Sequence, residues 1–206
     1  MHKAIARAFA SISMALCTFP GVGLQTTKAF AEDGVMLHLG KGSPALHMPV
    51  GTKDVFAEPA FEDYTYMFFD LCDAMGLKIK DECNIYPMNA SLGGNAIVTV
   101  QDGNRIIVYD RTLSPDIGHE GAMMVIAHEL GHHYCHHLGT AADPRKELAA
   151  DRFAGAAMHL SKMSLDAALS AVPILDERPS KSHPGRADRV KAITDGWNDP
   201  AVGKKC

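Results

Sequence analysis

Residues 125–137 read VIAHELGHHYCHH and carry five histidines: His128, His132, His133, His136 and His137. Within them, His128-Glu129-Leu130-Gly131-His132 fits the pattern H-E-x-x-H. Positions four apart lie on one face of an α-helix, one turn from each other. Two imidazoles so placed can reach a single tetrahedral Zn²⁺, at about 2.0–2.1 Å each. Glu129 stands on the flank of the first histidine, where it can take a proton from water activated by the metal. The chemistry implied is metal-assisted hydrolysis.

Helical geometry sorts the histidines. At about 100° per residue, Met123, Met124, Ala127, Leu130, Tyr134, Cys135 and Leu138 fall in one arc, the expected core face. His128 and His132 border that arc. His133, His136 and His137 fall away from the pair's metal-facing edge and are expected to be non-ligands. Of these, His136 is expected nearest the cleft and the one to touch substrate. It stands about 12 Å along the axis from His128, too far to share an ion from a straight helix.

The third ligand must therefore come from another element. The pattern H-E-x-x-H-x-x-G-x-x-H would need glycine and histidine at positions that hold Cys135 and Leu138. A glutamate on a following helix is the other solution. In KELAADRFAG (146–155), Glu147 and Asp151 are four apart and share a face. An antiparallel helix pair would bring Glu147 back over the histidines. Asp151, one turn on, could accept a hydrogen bond from a ligand imidazole.

HELGH followed by E-L-A-A-D resembles the gluzincin metallopeptidases of the CAAX-prenyl-protease and HtpX type (metallopeptidase family 48). Asn95-Ala96, opening a strand, is similar to that family's N-A strand, which flanks the cleft and pairs with extended substrate. Ser182-His183-Pro184 with Arg189 looks like its H-P-x-x-x-x-R element. His137 falls where members often carry a histidine near the end of the active-site helix. The resemblance runs in consistent order over about residues 60–195. It implies one Zn²⁺ held by His128, His132 and Glu147, with Glu129 as general base and His183 as the donor that stabilises the oxyanion. Arg189 is left with two roles, tethering the His183 loop or contacting substrate. His183, on a Pro-flanked loop, could also swing onto the open metal position. The chain has neither the membrane spans nor the helical-repeat extension of some members, and the segment between His132 and Glu147 is short.

These residues must be positioned by a small set of elements. Apolar positions Phe61, Tyr64, Phe68, Leu71, Cys72 and Met75 recur at helical spacing, and Gly76 stops the run. NAIVTVQ (95–101) and NRIIVYD (104–110) are β-branched runs joined by Asp102-Gly103, a two-residue hairpin signal. The active-site helix is expected from about Ala122 to Leu138, ended by Gly139. The glutamate helix starts at Asp143-Pro144, as N-cap and first helical residue, and runs to about Leu160. Ser164 caps a shorter helix through Ala171, and a last helix covers about Pro184–Trp197. The fold class expected is α+β: a minimal zincin-like domain with an active-site helix, a glutamate helix and a small antiparallel β-sheet.

Composition sets the outer limits. With 206 residues, 47% hydrophobic and 21% charged, the chain can build one packed domain, expected over residues 59–206. A net charge of −4 without a basic cluster argues against nucleic acid as a partner. Residues 1–31 read as a secretory signal peptide. Lys3 and Arg7 precede the apolar AFASISMALCTF, and Ala29-Phe30-Ala31 offers a cleavage site. Residues 32–58 read as a loop-rich lead-in with one strand. No later segment is apolar enough to span a membrane. The mature protein is expected to be exported, periplasmic or extracellular. There Cys72, Cys83, Cys135 and Cys206 can form two disulfides in any of three pairings, with Cys72–Cys83 favoured as local.

The reading is a zinc endopeptidase acting on extended or unfolded polypeptide, which adds as a strand to the edge at 95–101. The alternative is a non-catalytic, zinc-stabilised binding or chaperone-like protein, which would not need Glu129.

Overall fold

A computed structural model describes residues 46–50, 53–101 and 103–206. The leader expected over residues 1–31, residues 32–45 of the lead-in, and Asp102 of the hairpin turn lie outside the described residues. The elements are β1 (Leu46–Val50), β2 (Lys53–Pro59), α1 (Glu62–Ala74), β3 (Tyr86–Ala90), β4 (Ala96–Gln101), β5 (Asn104–Asp110), α2 (Leu113–Tyr134), α3 (Pro144–Leu160), α4 (Leu165–Ala168), α5 (Arg186–Asn198) and α6 (Pro200–Gly203). A single 3₁₀ turn, Val172–Ile174, lies between α4 and α5.

The α+β architecture is the one the sequence implies. The five-stranded sheet has the order β1-β2-β3-β5-β4. It is mixed rather than purely antiparallel, because β3 runs parallel to β5. The helical α1 connects β2 to β3, and the chain then places β4 and β5 beside β3 as a hairpin. Gln101 pairs with Asn104 across the two-residue turn, where Gly103 takes φ +80°. This leaves β4 as an edge strand.

Alternation along the strands builds two cores. Ala96, Ile107 and Tyr109 face the helices and pack with Phe68, Leu71, Ile126, Leu130 and Phe153. Ile106, Val108, Met88 and Ala90 face the other way, toward Met48, Val55 and Ala57 of the β1–β2 hairpin. Only Glu58 and Pro59 of β2 pair with β3, so the rest of the hairpin leaves the sheet plane. The Gln101 side chain donates to the His47 carbonyl, linking β4 to β1. Here the lead-in, expected to be loop-rich, holds two strands: the period-2 burial of Val55 and Ala57 outweighs the Gly and Pro around them.

Helix boundaries differ most at α2. It begins nine residues before the expected Ala122, because Gly118 (φ +76°, ψ 167°) joins a first helical turn to the main helix across a kink. It ends at Tyr134, not Leu138, because His136 takes φ +55° and reverses the chain before Gly139. Two other helix starts have the expected caps, while α4 stops at Ala168 rather than Ala171 and α5 starts at Arg186 rather than Pro184. Asp143 accepts from the Arg145 N–H at 2.9 Å with Pro144 next, and Ser164 Oγ accepts from the Ala167 N–H at 3.1 Å.

Two disulfides are formed, Cys72–Cys83 and Cys135–Cys206. The first closes α1 onto the loop before β3. The second joins the residue after α2 to the last residue of the chain. Among the described residues no helix is long and apolar enough to cross a membrane.

Candidate metal centre

Three helices meet at the site, and small residues set how closely. A Cβ on Gly131 would stand 3.0 Å from the Ala150 Cα and 3.1 Å from its carbonyl oxygen. The glycine inside HELGH is thus where α2 touches α3. Likewise a Cβ on Gly155 would overlap the Ile193 carbonyl, and one on Gly196 the Arg152 carbonyl, so α3 and α5 lie backbone to backbone. These contacts bring Glu147 and Asp151 of α3, and Arg189 of α5, to the face of α2 that carries His128 and His132.

His128, His132 and Glu147 each offer a ligand atom, all within 4.8 Å of one another. The two Nε2 atoms are 3.1 Å apart. His128 Nε2 stands 3.4 Å from one Glu147 oxygen, and His132 Nε2 3.4 Å from the other. Donors at about 2.0–2.1 Å from one ion in tetrahedral array stand about 3.3 Å apart, so this triangle has the right size for a small divalent cation. The donor chemistry also fits: two imidazole nitrogens and one carboxylate. The group could hold a metal ion, in a zincin-like arrangement.

The tautomer of His128 follows from its neighbours. Its Nδ1 lies 2.9 Å from Asp151 Oδ1, a fully buried carboxylate that can only accept. In the neutral ring Nδ1 therefore carries the hydrogen, and Nε2 is the nitrogen left to present a lone pair to the cluster. Arg189 grips the same carboxylate with two hydrogen bonds, Nε to Oδ2 at 2.8 Å and Nη2 to Oδ1 at 2.7 Å. Its Nη2 also lies 3.3 Å from His128 Nδ1. Burial works against the charged form of His128, but Asp151, Glu147 and Glu129 outweigh it and push its pKa up to about 10. Burial also opposes the charge of Glu147 and of Asp151. His128 and His132 nevertheless hold the Glu147 carboxyl well below the usual range, and Arg189 with His128 lowers that of Asp151. Glu129 is buried and its pKa is raised, chiefly by that burial.

The remaining histidines separate cleanly. His133 is buried, with Nε2 3.3 Å from the Ile106 carbonyl of β5, and burial pulls its pKa down to about 4. It braces α2 against the sheet. His136 is exposed at the reversal and lies outside the cleft, which corrects the expectation that it would be the one nearest substrate. The straight-helix construction fails there, since α2 has already ended. His137 takes the place at the cleft instead. Its Nδ1 is 3.0 Å from His132 Nδ1, and burial lowers its pKa to about 4.

His183 lies on the loop before α5 with its side chain half exposed, and Nε2 is 3.9 Å from Glu147 Oε2. Its Nδ1 meets Ser182 Oγ at 2.8 Å, and its N–H donates to Ser180 Oγ at 2.9 Å. It is not one of the clustered donors. The loop's tether is Arg186, whose guanidinium donates to the Leu175 and Pro173 carbonyls. Arg189, for which that role was one of two expected, is bound to Asp151 instead. Sequence spacing could not separate two arginines three positions apart on one helix.

A cleft of about 410 Å³ opens over the cluster. Gly94–Val98 form one wall, and Met124, Val125, Ala171 and Val172 add apolar surface. Asn95 is exposed at the rim, its Oδ1 accepting from the Ala96 N–H, while the Ala96 methyl is buried in the core. Asp110 holds this wall in place. Its carboxylate accepts from Thr112 and from the Leu92 N–H, which keeps its pKa near 2 despite partial burial.

A family model, the IrrE N-terminal-like domain (Peptidase_M78), matches residues 82–175. That span covers β3 through the 3₁₀ turn and includes His128, Glu129, His132, Glu147 and Asp151. The match supports a zinc metallopeptidase-like domain, and it is to this family rather than to the CAAX-prenyl-protease and HtpX type. It ends before His183 and Arg189. No curated protein and no solved structure matches the chain.

Proposed function

We propose that the chain is a zinc-dependent endopeptidase that cleaves extended or unfolded polypeptide outside the cytoplasm. The observation that carries this reading is the triangle of His128 Nε2, His132 Nε2 and the Glu147 carboxylate, at 3.1 and 3.4 Å, on the floor of a cleft beside an edge strand. His128, His132 and Glu147 are assigned as ligands of one Zn²⁺, with Asp151 supporting His128. When bound, the ion supplies Lewis acidity to water and to the scissile carbonyl.

The rest falls to side chains of the chain itself. Glu129 takes the proton of the attacking water and passes it to the leaving amine; its raised pKa suits both steps. His183, held at the rim by the serine turn, donates to the oxygen that gains negative charge. The free edge of β4, with Asn95 and Ala96 at its start, pairs with substrate backbone, giving affinity with little sequence preference. The motif order from HELGH to Arg189 supports a gluzincin of the CAAX-prenyl-protease and HtpX type as the finer assignment. Export is supported by the leader-like residues 1–31 and by the pairing of four cysteines in two bridges.

Glu129→Gln tests the reading. It should keep the fold and one bound zinc per chain while hydrolysis of an unfolded protein substrate disappears. Undiminished hydrolysis in that variant would remove Glu129 as the general base, and a wild-type protein that binds zinc without cleaving any unfolded chain would favour a binding role.

A further inference from the structure

We infer that His137 is a positioning residue that holds His132 in the tautomer able to bind a metal. The inference rests on the metal-site reading above and adds a residue to it.

His137 is five residues past His132, and on a continuing helix it would stand about 140° round the axis, out of reach of that ring. The chain brings it back by ending α2 early. His136 takes φ +55°, the His137 N–H donates to the His132 carbonyl at 3.0 Å, and the His136 N–H to the His133 carbonyl at 3.2 Å. Further bonds secure the turn. The Thr140 hydroxyl donates to the His137 carbonyl, and Lys146 Nζ donates to Thr140 Oγ1 at 2.7 Å and to the Ala141 carbonyl at 3.3 Å. The two imidazoles then meet Nδ1 to Nδ1 at 3.0 Å, with their planes 66° apart.

Two neutral ring nitrogens at this distance share one hydrogen: one donates, the other accepts. If His137 donated, His132 would carry its hydrogen on Nε2, aimed at His128 Nε2 and Glu147 and closed to a cation. If His132 donates, its Nε2 lone pair faces those same atoms, and the His137 hydrogen sits on its own Nε2. The second arrangement is the one that completes the triangle. His137 thus does for His132 what Asp151 does for His128, through a neutral acceptor on a turn.

The test measures zinc affinity by competition with a chromophoric chelator, with thermal denaturation as the check on folding. Asn is the informative replacement, because its Oδ1 occupies nearly the place of the His Nδ1 and can accept the same hydrogen. His137→Leu keeps the bulk without an acceptor. We expect His137→Leu to weaken zinc binding by about 10- to 100-fold, His137→Asn to recover most of that loss, and His136→Asn, at the exposed neighbour, to change nothing. Folded His137→Leu with wild-type affinity would overturn the inference and leave the metal site standing. Equal losses in the Leu and Asn variants would overturn it as well, since packing rather than an acceptor would then be at work. A wild-type chain that binds no zinc would instead sink the metal-site reading itself.

Discussion

His128 and His132 sit one turn apart on the same helix and aim at the same point, yet unlike regions hold them. Behind His128, three helices converge, and its partner is a buried carboxylate 23 positions away, itself gripped by an arginine a further 38 positions on. Behind His132 is a short turn with a neutral, half-buried ring five positions on. The first support is charged, distant in sequence and part of the core. The second is local and faces the cleft. The difference teaches that one motif can combine a rigid half, whose loss costs the fold, with an adjustable half, whose loss costs only the site.

The sharpest break of this comparison removes what both halves share. Glu147 bridges the two Nε2 atoms, so Glu147→Ala should bring bound zinc to background in metal analysis while the chain stays folded. Gly131→Leu should do the same with every donor present, because its side chain would drive α3 away from α2 where they now touch. A Gly131→Leu variant with full zinc content would show that the helix spacing does not set the site.

Breaking the rigid half comes next. Asp151→Asn leaves an acceptor for the His128 Nδ1 hydrogen but strands the largely buried Arg189 charge. Unpairing such a buried ion pair costs about 3–5 kcal/mol, so a clear fall in midpoint temperature should accompany a 10- to 100-fold loss of zinc affinity. Substitution of His137 should lower affinity without that loss of stability. Equal destabilisation at both positions would erase the distinction between the halves.

The same contrast explains how much could be read beforehand. HELGH, the E-x-x-x-D spacing and the Asp143-Pro144 cap are local signals of helix face and helix start. From them the clustering of His128, His132 and Glu147, the glutamate helix and the α+β class could be anticipated. The Asp102-Gly103 signal likewise foretold the β4–β5 hairpin. What could not be read was set by tertiary contact or by rare backbone conformations. His136 is a non-glycine residue at positive φ, so nothing local announced the end of α2 at Tyr134, and with it the cleft position of His137. The parallel β3–β5 pair and the reach of Arg189 depend on how distant segments pack. Gly131, Gly155 and Gly196 look like helix weaknesses in sequence, and only the close approach of α2, α3 and α5 shows why no side chain fits there.

The charged half also makes a prediction about pH. With no cation bound, Asp151 and its neighbours hold His128 protonated up to about pH 10. A cation must therefore displace that proton, and affinity should rise about tenfold per pH unit through the neutral and mildly alkaline range. Calorimetry at pH 8 in two buffers of different ionisation enthalpy should find about one proton released per zinc. Asp151→Asn removes the charge that raises His128, so the release should fall and the slope flatten. Substituting His137, which contributes no charge, should leave both unchanged. A release that survives Asp151→Asn would mean that the proton is held elsewhere.

The smallest effect on zinc is expected at the Cys135–Cys206 bridge, and it asks what keeps the adjustable half in place. Cys135 directly precedes His136, and its partner follows α6, whose Gly203 packs on Ala156 of the glutamate helix. The bridge thus ties the His132–His137 turn to α3 across a separation of 71 residues, against 11 for Cys72–Cys83. Chain-entropy arguments give about 4 kcal/mol of stability for the long closure and about 3 kcal/mol for the short one. Yet the turn is already fixed by its own bonds, from His137 and His136 to the helix end and from Thr140 and Lys146 to the segment beyond. The paired substitution Cys135→Ser with Cys206→Ser should therefore lower the midpoint temperature markedly but weaken zinc binding only a few-fold. If zinc affinity falls as far as in Asp151→Asn, the turn depends on the bridge rather than on its hydrogen bonds, and the adjustable half is no more local than the rigid one.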